Sequence, residues 1–286
     1  MKAFIPDYEV MAPSSLTEAL SLLNDSSGKW KPFAGGTDLM VLLEAGKLPI
    51  GKYISLHGLV ELKSQEDHPE NVTIGSFMTF SQIRGSKILQ EEFPLLCLGA
   101  AEIGSLAIQN RATIGGNIVN ASPAADSLPP LLVYEAEVEL ISMKGSRWIP
   151  YKDFHTGYKQ MSMYPYELLS RIRLPKKEKN LKQFYRKVGV RGAQAISKVC
   201  MAATAQVSTS KTIESFRLAF GSVAPIPLRC IQTETVLKGK QVCNDLIQWA
   251  EKKLAEEISP IDDIRSTKEY RVKVAQNLLR TFMEQL

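Results

Sequence analysis

The sequence has few of the residues from which metal sites are built. Its 286 residues include only four cysteines and three histidines, and no C-x-x-C pair occurs. These residues are Cys97, Cys200, Cys230, Cys243, His57, His68 and His155. Because zinc and iron–sulfur sites need closely spaced cysteines or histidines, we expect neither kind of site within this chain.

Basic clusters and long apolar runs are missing too. The formal net charge is only +5, and the lysines and arginines are spread along the chain, so nucleic-acid binding is not expected. The apolar run Leu39–Leu43 ends at Glu44, far short of the roughly 20 residues that a membrane helix needs. The N-terminus shows no apolar core of a secretion signal. Scattered cysteines without such a signal predict a cytoplasmic protein.

Two stretches rich in glycine and small residues stand out instead. The first is the stretch 112–126, which contains Gly115 and Gly116 followed by Asn117. Glycine accepts positive φ and a close approach to the main chain, and successive bare N–H groups can bind an anion. The alternative is a plain tight turn between two strands, Thr113–Ile114 and a strand that starts at Ile118.

A second stretch, 33–39, repeats this chemistry with Gly35, Gly36, Thr37 and Asp38. Two such loops favour the two walls of one diphosphate site, as a dinucleotide cofactor would need. Neither loop reads G-x-G-x-x-G or G-x-x-x-x-G-K-[ST], so a Rossmann fingerprint and a P-loop are both absent.

Hydrophobic periodicity divides the chain into two parts on either side of a charged linker, Pro175–Asn180. We predict a first domain over 1–176, with one lobe over about 1–56 and another over about 57–176, and a second domain over 181–286. The predicted strands and helices that define these parts are strands Trp30–Phe33, Lys52–Ser55, Glu167–Leu174, Lys182–Val188, Val199–Val207 and Ile213–Phe220, and helices opened by Ser15–Glu18, over Leu39–Glu44, Asp245–Glu256 and Lys268–Met283.

With these parts in place, nearly the whole chain resembles the FAD-binding subunit of the molybdenum hydroxylases, such as xanthine dehydrogenase and carbon monoxide dehydrogenase. The two glycine motifs, about eighty residues apart, carry most of the resemblance. Further matching segments are Ser122–Asp126, Phe184–Gly189 with Arg191, Leu218–Pro225 and Tyr270-Arg271.

The resemblance implies an α+β fold: a two-lobe FAD-binding domain of the p-cresol methylhydroxylase type, then a C-terminal α+β domain with a three-stranded antiparallel sheet. It also implies a role in a heteromeric complex. A partner subunit holds molybdopterin, another holds two [2Fe-2S] clusters, and electrons leave through non-covalent FAD to NAD or another acceptor. The preferred type is xanthine dehydrogenase, which would make a purine the substrate of the molybdenum subunit.

Carried over residue by residue, the resemblance implies a set of cofactor-binding positions. They are Lys31, Pro32, Phe33, Ala34, Gly35, Gly36, Thr37, Asp38, Leu39, Ile103, Ile108, Ala112, Thr113, Gly115, Gly116, Asn117, Ser122, Asp126, Leu169 and Lys187. Asp126 would accept hydrogen bonds from the cofactor, and Lys187 would stabilise the anionic reduced flavin. If the alignment with the family is shifted by one residue, Arg186 takes that role instead. The alternative for Lys187 is an exposed lysine on a strand.

Two other functions stay open from the sequence. One is a stand-alone FAD-dependent oxidase or reductase, although the C-terminal part offers no obvious acid–base pair. The other is a scaffold subunit without cofactor, which would have no need of two glycine loops. The neighbouring or co-purifying chains would distinguish these functions.

Overall fold

The computed structural model describes residues 7–25, 29–176, 181–192 and 194–286. Strands of this part of the chain are β1 Glu9–Met11, β2 Trp30–Phe33, β3 Lys52–Ser55, β4 Gln65–Asp67, β5 Asn71–Gly75, β6 Glu137–Ser142, β7 Gly145–Pro150, β8 His155–Gly157, β9 Gln160–Met161, β10 Leu168–Pro175, β11 Lys182–Val188, β12 Val199–Val207, β13 Ile213–Gly221 and β14 Leu228–Arg229. Its α-helices are α1 Leu16–Asp25, α2 Leu39–Glu44, α3 Phe80–Gly85, α4 Lys87–Glu92, α5 Pro94–Ala101, α6 Leu106–Gln109, α7 Ile114–Asn120, α8 Leu128–Val133, α9 Ile231–Leu237, α10 Asn244–Glu257 and α11 Lys268–Met283.

The first lobe is a small parallel sheet in the order β1-β3-β2, with α1 packed on it. The predicted strands β2 and β3 and the predicted helix α2 are confirmed. The predicted capping box at the start of α1 is only half formed. Ser15 accepts a hydrogen bond from the Glu18 N–H, but the Glu18 carboxylate accepts from the N–H of Ser14 at 2.7 Å.

The second lobe is an antiparallel sheet in the order β4-β5-β10-β6-β7, which shares its core with helices α3, α4, α5, α7 and α8. The strands predicted at Thr113–Ile114 and Ile118 are wrong, because this segment is helix α7. Thr113 caps that helix, because its hydroxyl accepts a hydrogen bond from the Gly116 N–H at 3.1 Å. Tertiary contacts outweighed the strand propensity of the β-branched residues on either side of the Gly-Gly pair. Helix α8 was not predicted, because Pro129 and Pro130 are helix-breaking residues in most positions. The first turn of a helix, where they lie, tolerates proline.

The C-terminal sheet has four antiparallel strands in the order β11-β12-β13-β14, one more than the three predicted. The extra strand β14 has only two residues, too few for a periodic signal. Helices α10 and α11 are confirmed to within a residue, and α9 was not predicted. The buried face of α11 includes Arg271, Ala275, Leu279 and Phe282, whereas Tyr270 is 43% exposed.

The N-terminal half, residues 7–176, and the C-terminal half, residues 181–286, pack tightly on each other. Ala202 of β12 and Ala219 of β13 belong to the same core as α8. Tyr134 donates a hydrogen bond to the Gln183 side chain at 2.6 Å across this boundary. The predicted domain limits stay a prediction, and most of the predicted linker, 177–180, lies outside the described residues. Over the described ranges, no helix is both long and apolar enough to span a bilayer.

Candidate functional site

The two glycine loops touch each other, and two of their four glycines are required by packing. A Cβ on Gly35 would lie 2.0 Å from the carbonyl oxygen of Arg111, and one on Gly115 would lie 2.6 Å from the Cβ of Ser76. Only Gly36 has the expected positive φ, +78°. Gly115 and Gly116 are helical residues of α7, so the expectation that they take positive φ is wrong.

Free backbone donors are found on the first loop but not at residues 114–117 of the second, within the described part of the chain. The N–H groups of residues 35–38 have no acceptor within the described part of the protein. In the second loop, Gly115 donates to Ser76 O at 2.8 Å and Asn117 donates to Thr113 O at 3.0 Å. Around the two Gly-Gly pairs, the bare main chain that the sequence suggested for both loops is therefore found only in the loop at residues 34–39, here called the first glycine loop.

A cavity of about 350 Å³ lies between the loops. The first glycine loop forms one wall, and α7 forms the opposite wall with Asn117 and Asn120. The Asn120 amide donates to the Asp38 carboxylate at 3.3 Å and so links the two walls. Most of the remaining surface is apolar and comes from residues such as Leu56, Phe77, Phe80, Ile108, Met163, Leu168 and Leu169.

A second cavity, of about 830 Å³, adjoins the first and lies between the two halves of the chain. Both cavities share Ile103, Ile108, Asn117 and Asn120 as lining residues. The N-terminal half contributes Ser122 and Asp126, and the C-terminal half contributes Ser197, Asp263, Arg265 and Arg271. No cysteine or histidine is among the described residues that line either cavity.

A buried ion pair includes one residue of the second cavity's wall, Asp126. Lys187 of β11 donates to the Asp126 carboxylate at 2.8 Å and to Glu102 O at 2.8 Å. The other carboxylate oxygen of Asp126 accepts from the Ser197 hydroxyl. Burial raises the pKa of Asp126, and the Lys187 ammonium and the Ser197 hydroxyl offset part of that rise.

This ion pair changes what the sequence predicted for Lys187 and Arg186. The Lys187 side chain is only 6% exposed, so the alternative of an exposed strand lysine is wrong. It is Arg186 that faces solvent. Lys187 does not line either cavity, and its charge is balanced by Asp126. A free cation beside a cofactor is therefore not what the structure offers.

Most of the predicted positions come together. Those that line the first cavity are Pro32, Ala34, Gly35, Gly36, Thr37, Asp38, Leu39, Ile103, Ile108, Ala112, Thr113, Gly115, Gly116, Asn117 and Leu169. Ser122 and Asp126 line the second cavity. Lys31 and Phe33 line neither: Lys31 is exposed on β2, and the Phe33 ring lies 2.9 Å from where a Gly36 Cβ would be.

Several lining residues were missed by sequence reasoning. They are Leu56, Ser76, Phe77, Phe80, Val119, Asn120, Met163 and Leu168. Most come from segments far from either loop, and their apolar types look like ordinary core. Only Asn120 carried a local signal, since it follows Asn117 in the same small-residue stretch.

Family models match both halves of the chain. Residues 6–177 match the FAD binding domain in molybdopterin dehydrogenase, and residues 183–286 match the CO dehydrogenase flavoprotein C-terminal domain. This chain is an FAD-binding subunit of the molybdenum hydroxylase family. The flavin subunit is 32% identical to the xanthine dehydrogenase FAD-binding subunit of Escherichia coli O157:H7, over 93% of this chain and 91% of that one.

Two further relatives span almost the full length of the flavin subunit. The glyceraldehyde dehydrogenase medium chain of Sulfolobus acidocaldarius is 30% identical over 98% of both chains. The solved carbon monoxide dehydrogenase of Hydrogenophaga pseudoflava superposes with a TM-score of 0.92 at 26% identity, covering 97% of this chain and 96% of that one. That dehydrogenase structure lacks the Mo-pyranopterin moiety of its molybdenum cofactor.

The residues of the flavin subunit fit FAD. A diphosphate needs donors that it can approach closely, and the first glycine loop presents four successive N–H groups without internal acceptors. Its glycines leave no Cβ between the ligand and the main chain. The adjoining apolar surface suits a planar ring, as in most cofactor sites.

Proposed function

We propose that this flavin subunit is the electron exit of a xanthine dehydrogenase-like complex. Electrons from iron–sulfur clusters on a partner subunit pass through FAD to NAD or another acceptor. A further partner holds molybdopterin and hydroxylates the substrate, for which a purine is the preferred class. The observation that carries the proposal is the pair of adjoining cavities whose walls come from both glycine loops and both halves of the chain.

In this proposal the first glycine loop binds the diphosphate. The N–H groups of residues 35–38 donate to phosphate oxygens, and Asn117 and Asn120 form the opposite wall. The apolar surface around Phe77 and Leu168 packs against one ring system of FAD. The second cavity receives the other end of the cofactor, between Ile103 and the C-terminal half.

FAD supplies the two-electron to one-electron conversion, and the protein positions it. Asp126 lines the second cavity, and Lys187 and Ser197 hold its carboxylate in one orientation. The paired charges of Asp126 and Lys187 keep this part of the wall close to neutral. The cofactor is bound without a covalent bond, because the described lining offers no cysteine or histidine for attachment.

Two observations support the proposal of partner subunits: the metal-ligand inventory of this chain and its family. Nowhere in the described ranges do three His, Cys, Asp or Glu side chains converge as metal ligands. Relatives are called subunits or medium chains, in keeping with a heteromeric assembly. We place this assembly in the cytoplasm.

The test uses the purified chain and its complex. Acid precipitation should release all of the flavin, as FAD, into the supernatant. The isolated chain should transfer electrons between its flavin and NADH or an artificial acceptor, yet show no turnover with xanthine or another hydroxylatable substrate. Flavin retained in the pellet contradicts the non-covalent site. Substrate-dependent turnover by the isolated chain would instead indicate a stand-alone oxidase.

A further inference from the structure

Arg271 of α11 ties together three segments that wall the second cavity. Its side chain is only 4% exposed. One terminal nitrogen donates to Lys198 O at 2.6 Å and to Ser222 O at 3.1 Å. The other donates to the Asp263 carboxylate at 2.8 Å. Three stretches distant in sequence therefore meet at one guanidinium group.

These segments also connect the C-terminal wall to the N-terminal half. Ser222, at a φ of +67°, donates its N–H to Pro123 O at 2.7 Å and its hydroxyl to Ser197 O at 3.0 Å. Ser197 in turn donates to the Asp126 carboxylate. A continuous set of hydrogen bonds thus runs from Arg271 to Asp126 on the opposite wall of the cavity.

Asp263 is itself fixed by its own loop. Burial works to raise its pKa, but hydrogen bonds from the backbone N–H groups of Arg265 and Ser266 and from Arg271 outweigh that effect and lower the pKa to about 2. Asp263 is therefore ionised at neutral pH. Its charge holds the Arg271 guanidinium in one orientation, and the loop at residues 259–265 is held with it.

The contacts of Arg271 depend on the shape of its head group. The planar guanidinium donates in several directions at once, whereas a lysine ammonium is a point charge on a flexible stem. The Arg271 Nε has no acceptor among the described residues, and a buried unsatisfied donor costs stability.

We propose that the flavin ring of FAD lies in the second cavity, and that Arg271 is a positioning residue that sets the environment of this ring and the access of the acceptor. This inference rests on the proposed function, which puts one end of FAD in that cavity. Arg271 acts through Ser197, Ser222 and the Asp263 loop. It does not act through the first glycine loop, so it should leave the grip on the diphosphate intact.

The test compares Arg271→Lys with Arg280→Lys in the full chain. Arg280 lies on the same helix and also forms a two-pronged ion pair, with Glu251 at 2.9 and 2.5 Å, but it lines neither cavity. We expect Arg271→Lys to keep FAD at a content within about twofold of wild type. The visible spectrum and midpoint potential of its bound flavin should shift, and KM for the acceptor should rise more than kcat falls. Arg280→Lys should match wild type in all of these.

Several results would overturn the inference. One is an Arg271→Lys protein whose flavin spectrum, potential and acceptor KM equal those of Arg280→Lys. If Arg271→Lys does not fold, Asp263→Asn replaces it, since this variant keeps the arginine and removes its charged partner. Failure of both variants to fold would make Arg271 a purely structural residue. A wild-type chain that binds no FAD would refute the proposed function itself, which is a separate outcome.

Discussion

Replacing Gly35 by alanine should separate the two glycine loops and so weaken the binding of FAD. The added Cβ would lie 2.0 Å from Arg111 O, 2.8 Å from its carbonyl carbon and 3.1 Å from the Ala112 Cα. All three are main-chain atoms, which cannot rotate away as a side chain would. Restoring an ordinary contact requires the first glycine loop to move by roughly 1 Å or more, since carbon and oxygen pack at about 3–3.5 Å.

The cost divides between folding and binding. Overpacking of this kind destabilises a protein by about 1–3 kcal/mol. Each charge-assisted hydrogen bond to phosphate contributes about 1.5–3 kcal/mol. If the displacement breaks two of them, binding loses about 3–6 kcal/mol, so Kd rises by about 10²–10⁴-fold. The effect on cofactor affinity should therefore exceed the effect on stability.

The matched control is Gly46→Ala, in the turn after α2. Gly46 has a φ of +65°, and no atom lies within 4 Å of its added Cβ. Backbone strain should destabilise this variant by about 1–2 kcal/mol without touching the cofactor site. The assay titrates apoprotein with FAD and measures urea unfolding for both variants. Wild-type FAD affinity in Gly35→Ala would refute the loop contact as the basis of the site.

Three further predictions concern the walls of the cavities and one carboxylate. Gly116→Val should lower the content of bound flavin at least about tenfold and leave the circular dichroism spectrum unchanged. The reason is that the Cβ of the valine would lie 2.9 Å from the Thr113 hydroxyl on the cavity wall. A variant with full flavin content would contradict this. Asp126→Asn should destabilise the fold by about 3–5 kcal/mol, since it leaves the buried Lys187 charge unpaired. In urea unfolding, the double variant Asp126→Asn with Lys187→Met should recover much of that loss. A double variant that recovers no stability would argue against the ion pair. The pKa of Asp263 is lowered to about 2, so its carboxylate should stabilise the fold above about pH 4, and this stabilisation should be lost as the pH falls towards 2. The difference in unfolding free energy between wild type and Asp263→Asn should therefore shrink over that range. A constant difference would contradict this prediction.

The regular elements of the C-terminal half were readable from the sequence because their periodicity is long and clear. Strands β11 to β13 have seven to nine residues each, and α10 and α11 have 14 and 16. Helix α7 was not readable, since its Gly-Gly pair and β-branched flanks favour a strand or turn. Its conformation depends on the Thr113 cap and on Ser76, which lies about forty residues earlier in the chain.

The candidate site could be predicted only in part from the sequence, for a related reason. Small residues such as Gly35 and Gly36 mark a loop that another molecule can approach, and this signal is local. Which loop keeps its N–H groups free depends on acceptors supplied by distant segments, such as Ser76 O and Met78 O. The pairing of Lys187 with Asp126 joins residues of different halves and leaves no trace in local sequence.

The core shared by the two halves also has a consequence for synthesis on the ribosome. Helix α8 packs against β12 and β13, which are made only after the whole N-terminal half has left the peptidyl transferase centre. Roughly 90 residues separate the end of α8 from the end of β13. At about 5–20 residues per second, this delay is about 5–20 s. During that time the leucines of α8 lack their final cover, so the nascent chain is expected to depend on chaperones that shield apolar surface.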